Sequence, residues 1–153
     1  MCGYCGCESI DVIGRFMREH VEVINATGDL RRACATADPV AVHGAVAALG
    51  ALLDPHTVAE EVGLFAVLGE DPEFTDHVDR LCAEHVVLGD LLGRVDRGEH
   101  EVFPLLEHAL REHIEREENG LFPAAAVAFA GPEWGRVTAL TPGPGPASGV
   151  GTP

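Results

Sequence analysis

Two ten-residue stretches of this chain, HTVAEEVGLF at 56–65 and HIEREENGLF at 113–122, share the pattern H-x-x-x-E-E-x-G-L-F. In a helix, residues four apart stack on one face a single turn from each other. In a strand the same two residues would stand about 13 Å apart. The surrounding residues decide between these. Apolar side chains recur at spacings of three and four, and strand-like alternation is nearly absent. Each copy of the pattern therefore reads as a helix that aims a histidine and a glutamate at the same place.

Three Asp-Pro pairs, at 38–39, 54–55 and 71–72, punctuate the chain. An aspartate can cap the open amides of a first helical turn, and proline suits the next position. The first predicted helix runs from about Ser9 to Cys34, with Ile10, Ile13, Met17, His20 and Ile24 on its inner stripe. The second runs from Pro39 to Leu68, with a kink or restart expected at Pro55, whose ring opposes the carbonyl of Ala51. The third spans Pro72 to Asp96, with His85 inside its apolar stripe. The fourth spans Glu101 to Asn119, with Leu106, Leu110, His113 and Glu117 inward. Short connections between four helices predict an all-α, up-down-up-down four-helix bundle.

The expected organisation is a cysteine-rich segment over 1–8, the bundle over 9–130, and a C-terminal short helix and flexible tail over 131–153. The last stretch, TPGPGPASGVGTP, has the composition of a disordered tail. A second repeat lies inside the bundle. EHVEVI at 19–24 resembles EHVVLG at 84–89, and each Glu-His pair comes one helix ahead of an H-x-x-x-E-E stretch. The chain reads as two helical hairpins making equivalent contributions.

The net charge is −15, which repels phosphate backbones and anionic lipid, so neither nucleic acid nor membrane is an expected partner. No basic-then-apolar leader is evident, so the cytoplasm is the expected location. Of five cysteines, Cys2, Cys5 and Cys7 crowd into CGYCGC, while Cys34 and Cys82 sit alone in helical stretches. That distribution is not a disulfide scaffold. C-x-x-C-x-C could bind a metal, act as a redox thiol set or do nothing specific. Cys34 and Cys82 read as small buried apolar residues, with Cys82 near the face of His85.

The two hairpins bring His20, His56, His85, His113, Glu60 and Glu117 to one depth of the core. Burying two carboxylates together without compensation carries a cost of several kcal/mol or forces proton uptake. Cations remove that cost, and imidazole with carboxylate suits iron, zinc or manganese. A carboxylate has two oxygens and can bridge two ions, with histidines capping the outer sides. Glu19 and Glu84, next to ligand histidines, are expected to point elsewhere. Glu61 and Glu118 are expected to face solvent or neighbouring cations, and Leu64-Phe65 and Leu121-Phe122 to pack the bundle end. His43, His77, His100 and His108 fall off the pattern.

With these residues in place, the sequence resembles the hemerythrin-like, or HHE cation-binding, family. The resemblance is carried by His20, HTVAE at 56–60, EH at 84–85 and HIERE at 113–117, and covers roughly Ser9 to Phe122. It implies a centre of two non-haem iron ions, oxo- or hydroxo-bridged, with Glu60 and Glu117 as bridges and His20, His56, His85 and His113 as terminal ligands. The oxygen carriers of that family have five histidines. Here Leu81 stands where the fifth would be, and Thr57 stands where some relatives place a glutamate. Tyr4, Glu61 and Glu118 are the candidates for a seventh ligand. Six ligands in place of seven leave open positions, which favours reaction with dioxygen, hydrogen peroxide or nitric oxide over carriage, with a small organic molecule as a further substrate. A redox or oxygen sensor and a zinc or iron store are the competing readings.

Overall fold

The computed structural model describes residues 6–7 and 10–145. Cys2, Cys5, Tyr4 and the last eight residues of the expected tail lie outside the described residues. All regular structure among the described residues is helical. Helix α1 (Asp11–Thr36) is followed by α2 (Pro39–Glu60), a π-helical turn (Glu61–Phe65) and the short α3 (Ala66–Leu68). Helix α4 (Thr75–Asp96) leads through a 3₁₀ turn (His100–Val102) into α5 (Phe103–Arg116). A second π turn (Glu117–Leu121), α6 (Phe122–Ala128) and α7 (Gly131–Leu140) complete the order. Helix α1 packs on α2, α2 on α4, α4 on α5, and α5 back on α1, closing a ring around one interior.

The connections obey the chemistry expected of them. Asp38 accepts from the Val40 amide at 3.0 Å and Pro39 opens α2. Only two residues join α1 to α2, so the chain must reverse sharply, and Ala37 takes a left-handed φ of 54° to do it. The equivalent reversal between α4 and α5 uses Gly98 at φ 99°, which needs no side chain to be accommodated. The Asp71-Pro72 pair behaves differently from expectation. The Asp71 side chain accepts from the Glu73 amide at 2.9 Å, but a turn follows and the helix starts at Thr75.

Two further expectations need correction. Pro55 lies inside α2 without restarting it, and the irregularity falls instead at Glu61–Phe65. The fourth stretch does not stop at Asn119. It widens into the second π turn and continues to Ala128, because Gly120 and Pro123 are both tolerated near the start of a new helical turn. One irregularity begins directly after the His56–Glu60 pair and the other at the glutamate of the His113–Glu117 pair. A π turn is a common device where a helix must re-aim side chains at a functional site.

The interior is divided into three layers. One apolar cluster contains Ile13, Phe16, Leu64, Phe65, Leu68, Leu81, Leu121, Phe122 and Val137. Another contains Val23, Leu30, Leu49, Leu53, Leu88, Leu92, Leu106 and Leu110. The buried polar residues His20, His56, Glu60, His85, His113 and Glu117 lie between them in sequence on every long helix. Helix α7 packs on the first π turn and on α3. Its seat explains Gly63, where an added Cβ would overlap the Thr141 hydroxyl.

Candidate metal centre

Each long helix delivers one histidine to the middle layer, and the two H-x-x-x-E pairs add a carboxylate each. Glu60 and Glu117 are fully buried, and all four imidazoles are buried with them. His20, His56, Glu60 and Glu117 form one group whose nearest donor atoms all lie within 4.8 Å of one another. Glu60, His85, His113 and Glu117 form a second group on the same terms. The two carboxylates belong to both groups.

Their oxygens divide accordingly. Glu60 Oε1 lies 3.1 Å from His56 Nε2 and 3.7 Å from His20 Nε2, while its Oε2 lies 3.3 Å from His85 Nε2. Glu117 Oε2 lies 3.0 Å from His20 Nε2, while its Oε1 lies 3.0 Å from His113 Nε2 and 3.8 Å from His85 Nε2. His85 Nε2 and His113 Nε2 stand 3.0 Å apart. These are short distances without hydrogen-bond alignment for most of the atoms. His20 Nε2, His56 Nε2 and all four oxygens of Glu60 and Glu117 are buried with no hydrogen-bond partner. Buried polar atoms are almost always paired, so six orphans converging on one layer fit a pair of cations that would satisfy them together.

The outer nitrogens account for four glutamates whose role the sequence did not disclose. His56 Nδ1 donates to Glu19 at 2.7 Å, and His113 Nδ1 donates to Glu84 at 2.9 Å. His85 Nδ1 donates to Glu61 at 2.7 Å, and His20 Nδ1 donates to Glu118 at 3.0 Å. A carboxylate can only accept, so these contacts place the proton on Nδ1 and leave Nε2 to face inward. Glu19 and Glu84 thus do not point away from the site. Glu61, 41% exposed at its side chain, and Glu118 each turn one carboxylate oxygen to an imidazole Nδ1. Tyr4 lies outside the described residues, so it adds nothing here.

The Gly-Leu-Phe ending is explained by the same geometry. Phe65 stacks on His85 with ring centroids 5.7 Å apart and planes 9° apart, and Phe122 stacks on His20 at 5.9 Å and 9°. Each π turn therefore presents a glutamate to Nδ1, and a phenyl ring at its end or just after it covers the face of the same imidazole, which belongs to the opposite hairpin. These phenylalanines pack the ligand layer itself rather than merely the bundle end. The signal was in the sequence: an unusual E-E-x-G-L-F repeated after both H-x-x-x-E pairs. Its meaning depended on a π turn that periodicity does not reveal.

Electrostatics in the metal-free layer follows from burial against charge. Burial alone would lower the His20 pKa, but Glu117, Glu118 and Glu60 around it push it up to about 11. By the same opposition His56 rises to about 9 and His85 to about 10, and His113 also rises. Burial would raise the two inner carboxyls, yet the facing imidazoles hold both Glu60 and Glu117 below the ordinary range. Without metal, protons on the imidazoles take the place of the missing positive charge.

Among the described residues, no cysteine belongs to this layer. Cys82 is free and partly buried, packed beside the first apolar cluster, and burial with Glu61 and Asp79 nearby pushes its thiol up to about 11. Cys34 is free and packs beside the other cluster. Cys7 is buried and disulfide-bonded, so it is not an open thiol of the C-x-x-C-x-C segment. His43 is exposed beside Asp96, and His108 beside Glu112, both away from the layer.

A helical bundle with two adjoining His/Glu groups able to hold metal defines a class of cation-binding helical protein. Residues 11–125 match the hemerythrin HHE cation-binding domain, and the chain belongs to that family. The comparisons found no match among curated proteins and none among solved structures. No helix among the described residues is long and apolar enough to cross a membrane.

Proposed function

We propose that this protein holds two iron ions in an up-down-up-down four-helix bundle and uses them to react with hydrogen peroxide, dioxygen or nitric oxide. The observation that carries this reading is the division of oxygens. Glu60 and Glu117 each turn one oxygen to the His20/His56 pair and the other to the His85/His113 pair. One cation would need no such division, and two cations close together need it twice.

In this reading His20 and His56 would hold one ion and His85 and His113 the other, with Glu60 and Glu117 serving both groups. Bound iron supplies redox and Lewis-acid chemistry at this layer. The chain's own residues do the rest. Glu19, Glu61, Glu84 and Glu118 keep each Nδ1 protonated and each ring oriented, so Nε2 is available to the metal. Two apolar clusters exclude water on either side of the layer. Among the described residues the groups around each ion supply two histidines and two shared carboxylates, fewer donors than iron accommodates. Such a donor set would leave positions for a small molecule, which favours catalase-like or peroxidase-like turnover, or oxidation of a small organic substrate, over simple storage.

Metal quantitation on protein purified from its native host, with an optical spectrum, tests the proposal. Two irons per chain, near-ultraviolet ferric absorption and peroxide consumption are expected. Two zinc ions with no such absorption would replace the redox reading with storage. Iron without peroxide, dioxygen or nitric oxide chemistry would leave a sensor.

A further inference from the structure

Between α1 and the end of α5 lies a cleft of about 580 Å³. Met17, Val21, Ile24 and Ile114 form apolar walls, and His20 and Glu118 line its inner side. The size falls within the range of sites for small molecules. The exposed Arg18 stands at its outer side.

All ten basic residues are arginines. Eight of them pair with a carboxylate. The other two, Arg18 and Arg97, have no carboxylate partner among the described residues, and of these Arg18 lines the cleft, although Glu22 stands one helical turn ahead of it. In a protein of net charge −15, a guanidinium left unpaired beside an apolar cleft is matched to an anion from outside.

The other hairpin does not repeat these features. Positions 17, 18 and 24 correspond to Cys82, Ala83 and Gly89, by the same 65-residue shift that relates His20 to His85. Position 114 corresponds to Thr57, by the 57-residue shift that relates His113 to His56. The ligand layer is duplicated, whereas the cation and the bulky walls are present on one side.

We infer that the α1/α5 cleft binds a small monocarboxylic acid, with its hydrocarbon body between Met17, Val21, Ile24 and Ile114 and its carboxylate on Arg18. The occupant lies against the outer side of the His20–Glu118 pair. Binding itself stands apart from the di-iron reading, and only its effect on the metal layer rests on it.

The test titrates hexanoate, with hexan-1-ol as the neutral control, into metal-free and metal-loaded protein, following amide shifts by NMR. Saturable binding of hexanoate is expected, with hexan-1-ol at least about tenfold weaker, as loss of a charged hydrogen-bond partner implies. Arg18→Gln should weaken hexanoate by about tenfold or more and leave hexan-1-ol unchanged. Ile24→Trp should block both, with helicity checked by circular dichroism. If Ile24→Trp fails to fold, Arg18→Gln decides. Equal affinity for acid and alcohol, an unchanged hexanoate affinity in Arg18→Gln, or no saturation below about 10 mM would overturn the inference. Metal content is measured on the same samples. Two ions without acid binding removes this inference and leaves the di-metal reading intact, while acid binding by a protein that takes up no metal does the reverse.

Discussion

The first hairpin, α1 with α2, and the second, α4 with α5, contribute the same residues to the middle layer and different residues around it. Within the layer the correspondence extends past the ligands. Glu19 supports His56 as Glu84 supports His113, and Glu118 supports His20 as Glu61 supports His85. Glu19 is itself held by Arg15, and Glu84 by Arg80 and Arg116. Outside the layer the hairpins diverge. The first π turn is covered by α7, and Gly63 meets Thr141, whereas a Cβ at Gly120 would only approach His77 at 3.5 Å. The comparison separates what the metal chemistry requires, which is repeated, from what covers and closes the bundle, which is not.

Removing a shared residue should have the largest effect. Glu60→Ala or Glu117→Ala takes a carboxylate from both groups at once, so both ions should be lost. Replacing His20 and His56 together should cost one ion and leave the other. Metal analysis of the three proteins distinguishes a shared pair of carboxylates from two independent sites.

The outer glutamates come next. Glu61→Gln and Glu118→Gln should each lower metal affinity about 10- to 100-fold, since loss of a carboxylate behind a ligand histidine typically has that effect. The two losses should match, because the positions are equivalent. A chelator competition assay reads both, and a large inequality would break the equivalence of the hairpins.

Effects of pH should run in opposite directions with and without metal. In the metal-free protein His20, His56 and His85 keep their protons up to about 11, 9 and 10, against an ordinary 6.5. Their contribution to folding is complete below about pH 6.5 and is lost as pH rises through those values. Glu60 and Glu117 are lowered from 4.5, so their contribution is complete above about pH 4.5 and lost as pH falls further. The metal-free fold should therefore be most stable between about pH 4.5 and 6.5, and its Tm should fall toward about pH 9. Metal competes with those same protons, so metal affinity should rise over that interval. Thermal melts and metal titrations at both ends of the range check the two signs.

The smallest expected effect lies at the periphery. Gly63→Ala should destabilise by about 1–3 kcal/mol through the clash with Thr141. Gly120→Ala should cost less, because its added methyl meets only an ordinary contact. Denaturant melts of the two variants measure the difference.

How much of this was legible in the sequence follows from the same contrast. The all-helical architecture, the six inward residues and the Asp38-Pro39 start were readable, because apolar spacing and capping are local properties. The π turns were not, since a single added residue per turn leaves no periodic mark over five residues. The partners of Glu61 and Glu118 were hidden for that reason, whereas Glu19 and Glu84 lie in regular α-helix and only their tertiary contacts were unreadable. Their targets lie on neighbouring helices, and the π turn at the end of each H-x-x-x-E pair decides where Glu61 and Glu118 point. Of the kink or restart expected at Pro55, the restart is absent. One missing amide was a strong local signal, but the packed helix ran through it to Glu60.

The most direct measurement is anomalous diffraction at the iron absorption edge from crystals of iron-loaded protein. The account predicts two peaks flanked by Glu60 and Glu117, one beside His20 and His56 and the other beside His85 and His113. A single peak, or none between those carboxylates with iron supplied, would contradict it.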